Sequence, residues 1–529
     1  MKLRQPVPAC IEQVGRLITK SAARPTSQAR RPLRQFSTLP SLSSRLPSRR
    51  PTACTPCSSA AHSRRGYATV DAAELLFGQP VHETHPHILN AGELTPGITA
   101  QEYYDRRCAL AASLPADSAA VLRASDVKYR SGAVFFPFRQ ESDFFYLTGF
   151  SEPDAVAVIR KTGPDLGDCV FSLLVRSKDP RAEQWQGPWS GVDAARDVFN
   201  ADEAGDFAAA DTLLPSLLRG VRTVYTNPEV DSLLKAGTGS ASSAPNFKSV
   251  FEMVGSSRII PLAPVVAQQR AFKSQAEIAN MRQAGRLSGR ALTDAMRRSW
   301  TREKDLAAFL DYRFHDDGGD GIAYVPVVAG GQRGSLIHYV LNNATLDDGE
   351  MVLVDAGGEY GTYIADITRT WPVNGRFTPA QRDLYEAVLR VQRSSVSLCC
   401  RAAGGLSLDQ IHRITSDGLK SELTKLGFDF GHGSGSDTLS ALFPHHVGHY
   451  VGLDVHDTPS YPRHTPLRAG HCVTVEPGIY VPDDERWPAH FRGLAVRIED
   501  SICVGEGDPL ILTTEAVKEV VDIEALRDV

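Results

Sequence analysis

The chain has 529 residues, 42% of them apolar, and its 57 Lys and Arg against 62 Asp and Glu give a net charge of −5. At about 150 residues per domain this is enough chain for two large or three smaller domains, and the composition excludes collagen-like, coiled-coil and wholly disordered classes. No run of about 18 apolar residues occurs, so no transmembrane segment is expected.

The charge is unevenly spread. Residues 1–67 hold thirteen basic residues and one acid, Glu12, among frequent Ser and Pro. Such a stretch buries too little surface to offset its ordering entropy, so disorder in water is expected. Arg-rich, Ser-rich and acid-poor composition is the signature of an organelle transit peptide. Arg64-Arg65-Gly66-Tyr67-Ala68-Thr69 resembles the mitochondrial presequence pattern of Arg, any residue, an aromatic and then a small residue. Arg34-Gln35-Phe36-Ser37 has the same form, so Phe36 and Tyr67 mark two candidate cleavage sites. The rest of the chain keeps 44 basic and 61 acidic residues, a net −17. A body this acidic is a poor partner for nucleic acid, whose affinity comes mainly from cationic contacts to phosphate. Its six cysteines lack paired CxxC spacing and read as reduced and structural.

From residue 100 the chain alternates helix and strand signals. Tyr103, Arg107, Leu110 and Leu114 recur at helical spacing. Ala119–Leu122, Gly132–Phe138, Phe144–Leu147, Ala155–Arg160 and Val170–Val175 read as short strands, and the Gly/Ser/Ala-rich stretch 236–244 as a surface loop. Residues 98–260 are taken as one α/β domain. A second unit, 270–525, opens at the capping box Ser274-Gln275-Ala276-Glu277, with Ile278, Met281, Leu292 and Met296 on one helical face. Val325–Ala329, Ile337–Val340, Met351–Ala356 and Thr362–Trp371 follow as β-type runs, the last two joined by a Gly-rich turn at 357–361. Thr378–Leu398 and Leu408–Leu426 read as helices, and Cys472–Val481 and Leu494–Val504 are β-rich.

The strongest chemical signal is acid inside runs that should be apolar. Asp355 ends Val352-Leu353-Val354, and eleven residues later Asp366 stands in Ile364-Ala365-Asp366-Ile367. Glu476 in Thr474-Val475-Glu476-Pro477 and Glu499 in Val496-Arg497-Ile498-Glu499 repeat the theme, with the block His445-His446-Val447-Gly448-His449 between the pairs. Buried carboxylates are costly unless paired or bound to a cation. Two divalent ions would balance four of them, with one or two imidazoles completing the shells. Oxygen-rich ligation with a single imidazole favours Mn²⁺, Co²⁺, Fe²⁺ or Zn²⁺ over thiolate-loving ions, and the donor set alone does not separate those four. Cys472 shares strand parity with Glu476 and reads as a core thiol, and His446 as an ordinary structural histidine.

Asp355, Asp366, His449, Glu476 and Glu499 resemble the five-ligand dimetal pattern of the pita-bread metallopeptidases, the group that holds methionine aminopeptidase, prolidase and aminopeptidase P. Phe138-Arg139-Gln140-Glu141-Ser142-Asp143-Phe144 and Tyr146-Leu147-Thr148-Gly149-Phe150 are similar to the aminopeptidase P amino-terminal domain, as is His449 to Pro459 to the other half. With the basic leader, the likeness is to the mitochondrial aminopeptidase P branch, which includes intermediate-cleaving peptidases. The resemblance implies an α/β (α+β) fold, a creatinase-like amino-terminal domain followed by a pita-bread domain. It also implies that Asp366, His449, Glu476 and Glu499 hold one metal and Asp355 the other, with Asp366 and Glu499 bridging. His338 matches an imidazole near the scissile peptide, His445 and His456 imidazoles that contact the substrate backbone or the tetrahedral intermediate, Glu476 the group that takes the nucleophile's proton, and Arg497 an arginine beside the bridging glutamate. The implied activity is removal of one amino-terminal residue, from Xaa-Pro peptides or from imported proteins already cut by presequence processing, in the matrix or on the matrix face of the inner membrane. A homodimer or larger homo-oligomer is implied too. The rival readings are a prolidase restricted to dipeptides and a metal-free peptide-binding module.

Overall fold

In the computed structural model, which describes residues 76–227, 258–431 and 436–528, the amino-terminal region is built on one six-stranded mixed sheet. Its strands are β1 (Ser118–Arg123), β2 (Val156–Lys161), β3 (Cys169–Val175), β4 (Glu203–Asp206), β5 (Thr223–Thr226) and β6 (Arg258–Pro261), in the order β6-β5-β1-β2-β3-β4. β5 runs parallel to both β6 and β1, β2 antiparallel to β1 and β3, and β4 parallel to β3. Alternate residues explain why the central strands read as continuous apolar runs. Ala120, Leu122, Ala157 and Ile159 pack on one face, and Ala119, Val121, Val156 and Val158 on the other, so both faces are covered.

The first of those faces holds α1 (Ala100–Ser113) and α2 (Ser142–Thr148). The helix expected around Tyr103 and Leu110 is α1, and the buried Arg107 on it donates to the Leu147 carbonyl at 3.0 Å. Phe144–Leu147, expected as a strand, lies instead in α2. The Glu141 carboxylate caps it by accepting from the Phe144 N–H at 2.7 Å, and Gly149 closes it in the left-handed region. Every residue of α2 is buried, and a run apolar on all sides carries no period to tell helix from strand. Of Gly132–Phe138 only Val134–Phe135 is strand, paired with Tyr129–Ser131 in an exposed hairpin. Residues 1–67 and the 236–244 stretch lie outside the described residues.

A short helix, α3 (Ala263–Arg270), leads to the second region, which opens with α4 (Gln275–Met296) and α5 (Glu303–Asp316). Both halves of the Ser274/Glu277 capping box are present, and Ile278, Met281, Leu292 and Met296 are all buried. β7 (Val327–Gly330), β8 (Met351–Asp355) and β9 (Thr368–Pro372) form an antiparallel sheet with β8 in the middle. α6 (Pro379–Ser397) and α7 (Leu408–Lys425) also start at capping boxes, Thr378/Gln381 and Ser407/Gln410. Farther on, β10 (Cys472–Val475) pairs antiparallel with β13 (Asp500–Cys503), and β11 (Gly478–Tyr480) with β12 (Ala495–Arg497).

Two expectations change here. Ile337–Val340 is a turn following the short 3-10 helix Gly331–Ser335. The buried Glu303 carboxylate gathers the Gly330 and Ala344 N–H groups, the Arg333 guanidinium and the Tyr339 hydroxyl, which folds this segment back on itself. The Gly-rich turn is shorter than 357–361: Gly358–Tyr360 pairs with Tyr363–Ile364, and only Gly361 and Thr362 turn, both at positive φ. No helix among the described residues is long and apolar enough to cross a membrane.

Candidate metal centre and active site

Each of the four acids stands where a strand ends or breaks. Asp355 closes β8, and Asp366 sits in the gap between Tyr363–Ile364 and β9. Glu476 fills the break between β10 and β11, where Pro477 cannot donate to a ladder, and Glu499 the break between β12 and β13. At such breaks a carboxylate turns inward without costing a strand its apolar face. Ligand atoms of Asp366, His449 and Glu499 lie within 4.8 Å of one another. His449 Nδ1 donates to the Tyr450 carbonyl at 3.0 Å, which orients Nε2 3.3 Å from Asp366 and 3.6 Å from Glu476. Asp355 is linked to Asp366 by the Tyr324 hydroxyl, 2.7 Å from an oxygen of each.

Charges this close and dry are mutually unfavourable. Burial, reinforced by Asp366, Glu476 and Asp355, pushes the Glu499 carboxyl well above its ordinary range. Burial lifts Glu476 to about 7 against the opposing pull of His449 and Arg497. Asp355 is also raised by burial, which outweighs Arg497. Asp366 goes the other way: burial disfavours its charge, but the bond and charge of His449, the Tyr324 hydroxyl and Arg497 together outweigh it. His449 is lifted to about 9, burial being overcome by Asp366 and Glu476. Such a set fits divalent cations: four carboxylates and an imidazole, three of the acids favouring their protonated form where cations would replace the protons.

Arg497 and Thr368 support the acids from behind. Arg497 donates to Asp355 at 2.6 Å, to the Thr368 hydroxyl at 2.9 Å and to the Tyr480 hydroxyl at 2.9 Å. Thr368 in turn donates to Glu499 at 2.6 Å. The Tyr480 hydroxyl lies 2.8 Å from His445 Nε2, while His445 Nδ1 donates to the His446 carbonyl at 2.9 Å. Nε2 therefore accepts from Tyr480, and burial holds this imidazole neutral, its pKa pushed down to about 3. Both ring nitrogens of His445 are engaged, 3.6 Å from Glu476 at the nearest. His456 stands edge-on to His449 with ring centroids 4.5 Å apart, and it and His338 are both exposed at the mouth. Burial and the neighbouring His449 lower the His456 pKa, with His338 adding to the effect. His446 stacks on His412 at 4.5 Å with its Nε2 3.3 Å from Asp409, and Cys472 is fully buried opposite Cys503.

Tyr324, Thr368 and Tyr480 do not emerge from sequence reasoning. Tyr480 and Thr368 lie inside apolar β runs and Tyr324 in an aperiodic loop. The usable signal was proximity: Thr368 is two residues from Asp366, and Tyr480 four from Glu476.

A model of metallopeptidase family M24 matches residues 279–506, and one of the aminopeptidase P N-terminal domain matches residues 103–225. The chain is 43% identical to intermediate cleaving peptidase 55 of Saccharomyces cerevisiae, over 84% of this chain and 88% of the relative. It is 39% identical to Xaa-Pro aminopeptidase 3 of Mus musculus, over 85% and 90%. A crystal structure of Icp55 from Saccharomyces cerevisiae, lacking its N-terminal 58 residues, superposes with a TM-score of 0.74 at 42% identity, covering 83% of this chain and 99% of that one. The chain belongs to metallopeptidase family M24, in the branch of aminopeptidase P and the intermediate cleaving peptidases.

Proposed function

We propose that this chain is a mitochondrial dinuclear metalloaminopeptidase that removes one residue from the amino terminus of Xaa-Pro peptides or of imported proteins already cut by presequence processing. The observation that carries this reading is the buried cluster in which ligand atoms of Asp366, His449 and Glu499 lie within 4.8 Å of one another, with Glu476 3.6 Å from His449 and Asp355 joined to Asp366 through the Tyr324 hydroxyl. Asp366, His449, Glu476 and Glu499 would hold one ion and Asp355 the other, with Asp366 and Glu499 shared, and Mn²⁺ is the proposed metal. When bound, the ions supply Lewis acidity and make water a nucleophile near neutral pH.

The protein's own groups do the rest. Glu476, whose carboxylate lies 3.6 Å from His449, takes the nucleophile's proton. His456 and His338 at the mouth donate to the scissile carbonyl oxygen as its negative charge grows. His445 acts through Tyr480, which it fixes beside Arg497. The free amine of a substrate is drawn to the acids, which restricts cleavage to the first residue. The domain limits 98–260 and 270–525, the leader 1–67 and a homodimer or larger assembly belong to the same proposal.

The test is to load the purified protein with Mn²⁺ and offer it Xaa-Pro dipeptides, Xaa-Pro tripeptides and a longer peptide beginning Tyr-Ala, with products identified by mass. Loss of one amino-terminal residue from the longer peptides supports the reading. Turnover of dipeptides alone identifies a prolidase, and internal cleavage overturns it. The chain's own leader gives a second test. Its mature form begins at Ala68 if it trims Tyr67 from its own precursor or a sister copy, and a start at Tyr67 in active cells refutes that.

A further inference from the structure

The segment from His449 to Asp457 runs from the imidazole at the metal centre to His456 at the mouth, and it contains no regular element beyond an isolated bridge at Tyr450. Polar ties hold it in place instead, and several of them come from the amino-terminal region. Arg270, the last residue of α3, is buried and donates to three carboxylates at once: Asp143 of α2 at 2.6 Å, Asp454 at 2.7 Å and Asp457 at 2.5 Å. Lys273 donates to the other oxygen of Asp457 at 2.8 Å. The Ser142 hydroxyl donates to Asp454 at 2.6 Å, and Arg139 reaches both the Leu453 carbonyl and Glu359. The packing leaves no slack: a Cβ at Gly452 would come within 2.8 Å of both Asp457 and Lys273. On the side of the centre, Gly452 accepts from Ile364 N–H at 3.0 Å, two residues before Asp366.

Asp457 is the neighbour of His456, so a shift of the clasp moves that imidazole directly. The buried Arg270, Asp143 and Asp457, with the half-exposed Asp454, form a rigid joint, because each charge loses its compensation if the others move. We propose that Arg270 and Asp143 are positioning residues for the reaction. They lock the amino-terminal region onto the Leu453–Asp457 loop and so fix His456 against His449. The proposal rests on the reading of His456 as a group that meets the substrate.

The experiment is a double-mutant cycle in the Mn²⁺-loaded full chain, pairing Asp143→Asn with His456→Ala and measuring kcat, KM and bound metal. Asp143→Asn leaves Arg270 two of its three carboxylates and touches no metal ligand. Its kcat/KM falls about 10- to 100-fold, the scale of a misplacement of roughly 1 Å, while two ions per chain are retained. On the His456→Ala background the same change costs less than about twofold, because the group it positions is gone. Fully additive losses in an active enzyme overturn the proposal and leave the proposed function standing. An inactive wild type overturns the proposed function itself, and an unaltered His456→Ala overturns the proposal together with the role given to His456. Ser142→Ala, which deletes one hydrogen bond, runs through the same cycle if Asp143→Asn does not accumulate as folded protein; it gives a smaller loss with the same coupling, and additivity there overturns the proposal equally.

Discussion

Thr368→Val changes a single hydroxyl at nearly constant shape, and it tests whether the metal centre depends on the groups behind it. The hydroxyl is buried, accepts from Arg497 at 2.9 Å and donates to Glu499 at 2.6 Å. Hydrogen bonds to charged groups are worth about 1.5–3 kcal/mol each. Arg497 keeps Asp355 and Tyr480, so most of the loss falls on Glu499, which is left to turn or to hold its proton more tightly. A loss of about 1.4–2.7 kcal/mol toward the cations is a 10- to 100-fold weaker affinity, the usual scale for partners of metal ligands. Metal-free wild type and variant are titrated with Mn²⁺ against a competing chelator, with thermal melts in chelator as the control for folding. Unchanged affinity, within twofold, in a folded variant refutes the argument that Thr368 orients Glu499.

Asp366→Ala removes the acid nearest His449 and joined to Asp355 through Tyr324; turnover is abolished and bound metal falls below two per chain, as checked by elemental analysis beside a peptide assay. His338→Ala, at an exposed turn, lowers turnover and leaves metal content unchanged, and simultaneous metal loss shows that the residue is misassigned. Asp500→Asn strips the counter-charge from Arg369 at 2.7 Å and Lys518 at 2.6 Å in the core. It costs about 3–5 kcal/mol, which lowers the melting temperature by roughly 6–10 °C for a domain of this size. The Asp500 carboxyl is held below its ordinary range, burial being overcome by Arg369 and Lys518. Its contribution is therefore complete at neutral pH and drains away from about pH 5 downward, so the difference between wild type and Asp500→Asn shrinks on acidification. A difference that grows with acid contradicts the assignment.

The sequence announces this site because carboxylates in apolar strands have few explanations. Asp355, Asp366, Glu476 and Glu499 stand out against Val, Ile and Leu neighbours, and capping boxes mark α4, α6 and α7 without help from tertiary contacts. What was illegible is what tertiary contact decides. Phe144–Leu147 is buried on all sides, so its helix is set by the Glu141 cap and Gly149 rather than by a period. Ile337–Val340 has strand-like composition, but Glu303, more than thirty residues earlier, bends it into a turn. Tyr324 acquires its place between Asp355 and Asp366 only when its loop, some thirty residues earlier, folds onto the hairpin that joins them. Asp143 and Arg270 likewise read as ordinary charges until the fold presents them to Asp454 and Asp457.

The most direct test counts transition ions in the active, purified protein and follows release of a single amino-terminal residue in the same preparation. Two ions per chain, with activity lost on chelation and restored on reloading, is the result this account predicts. Full turnover by a preparation holding no stoichiometric ion contradicts it.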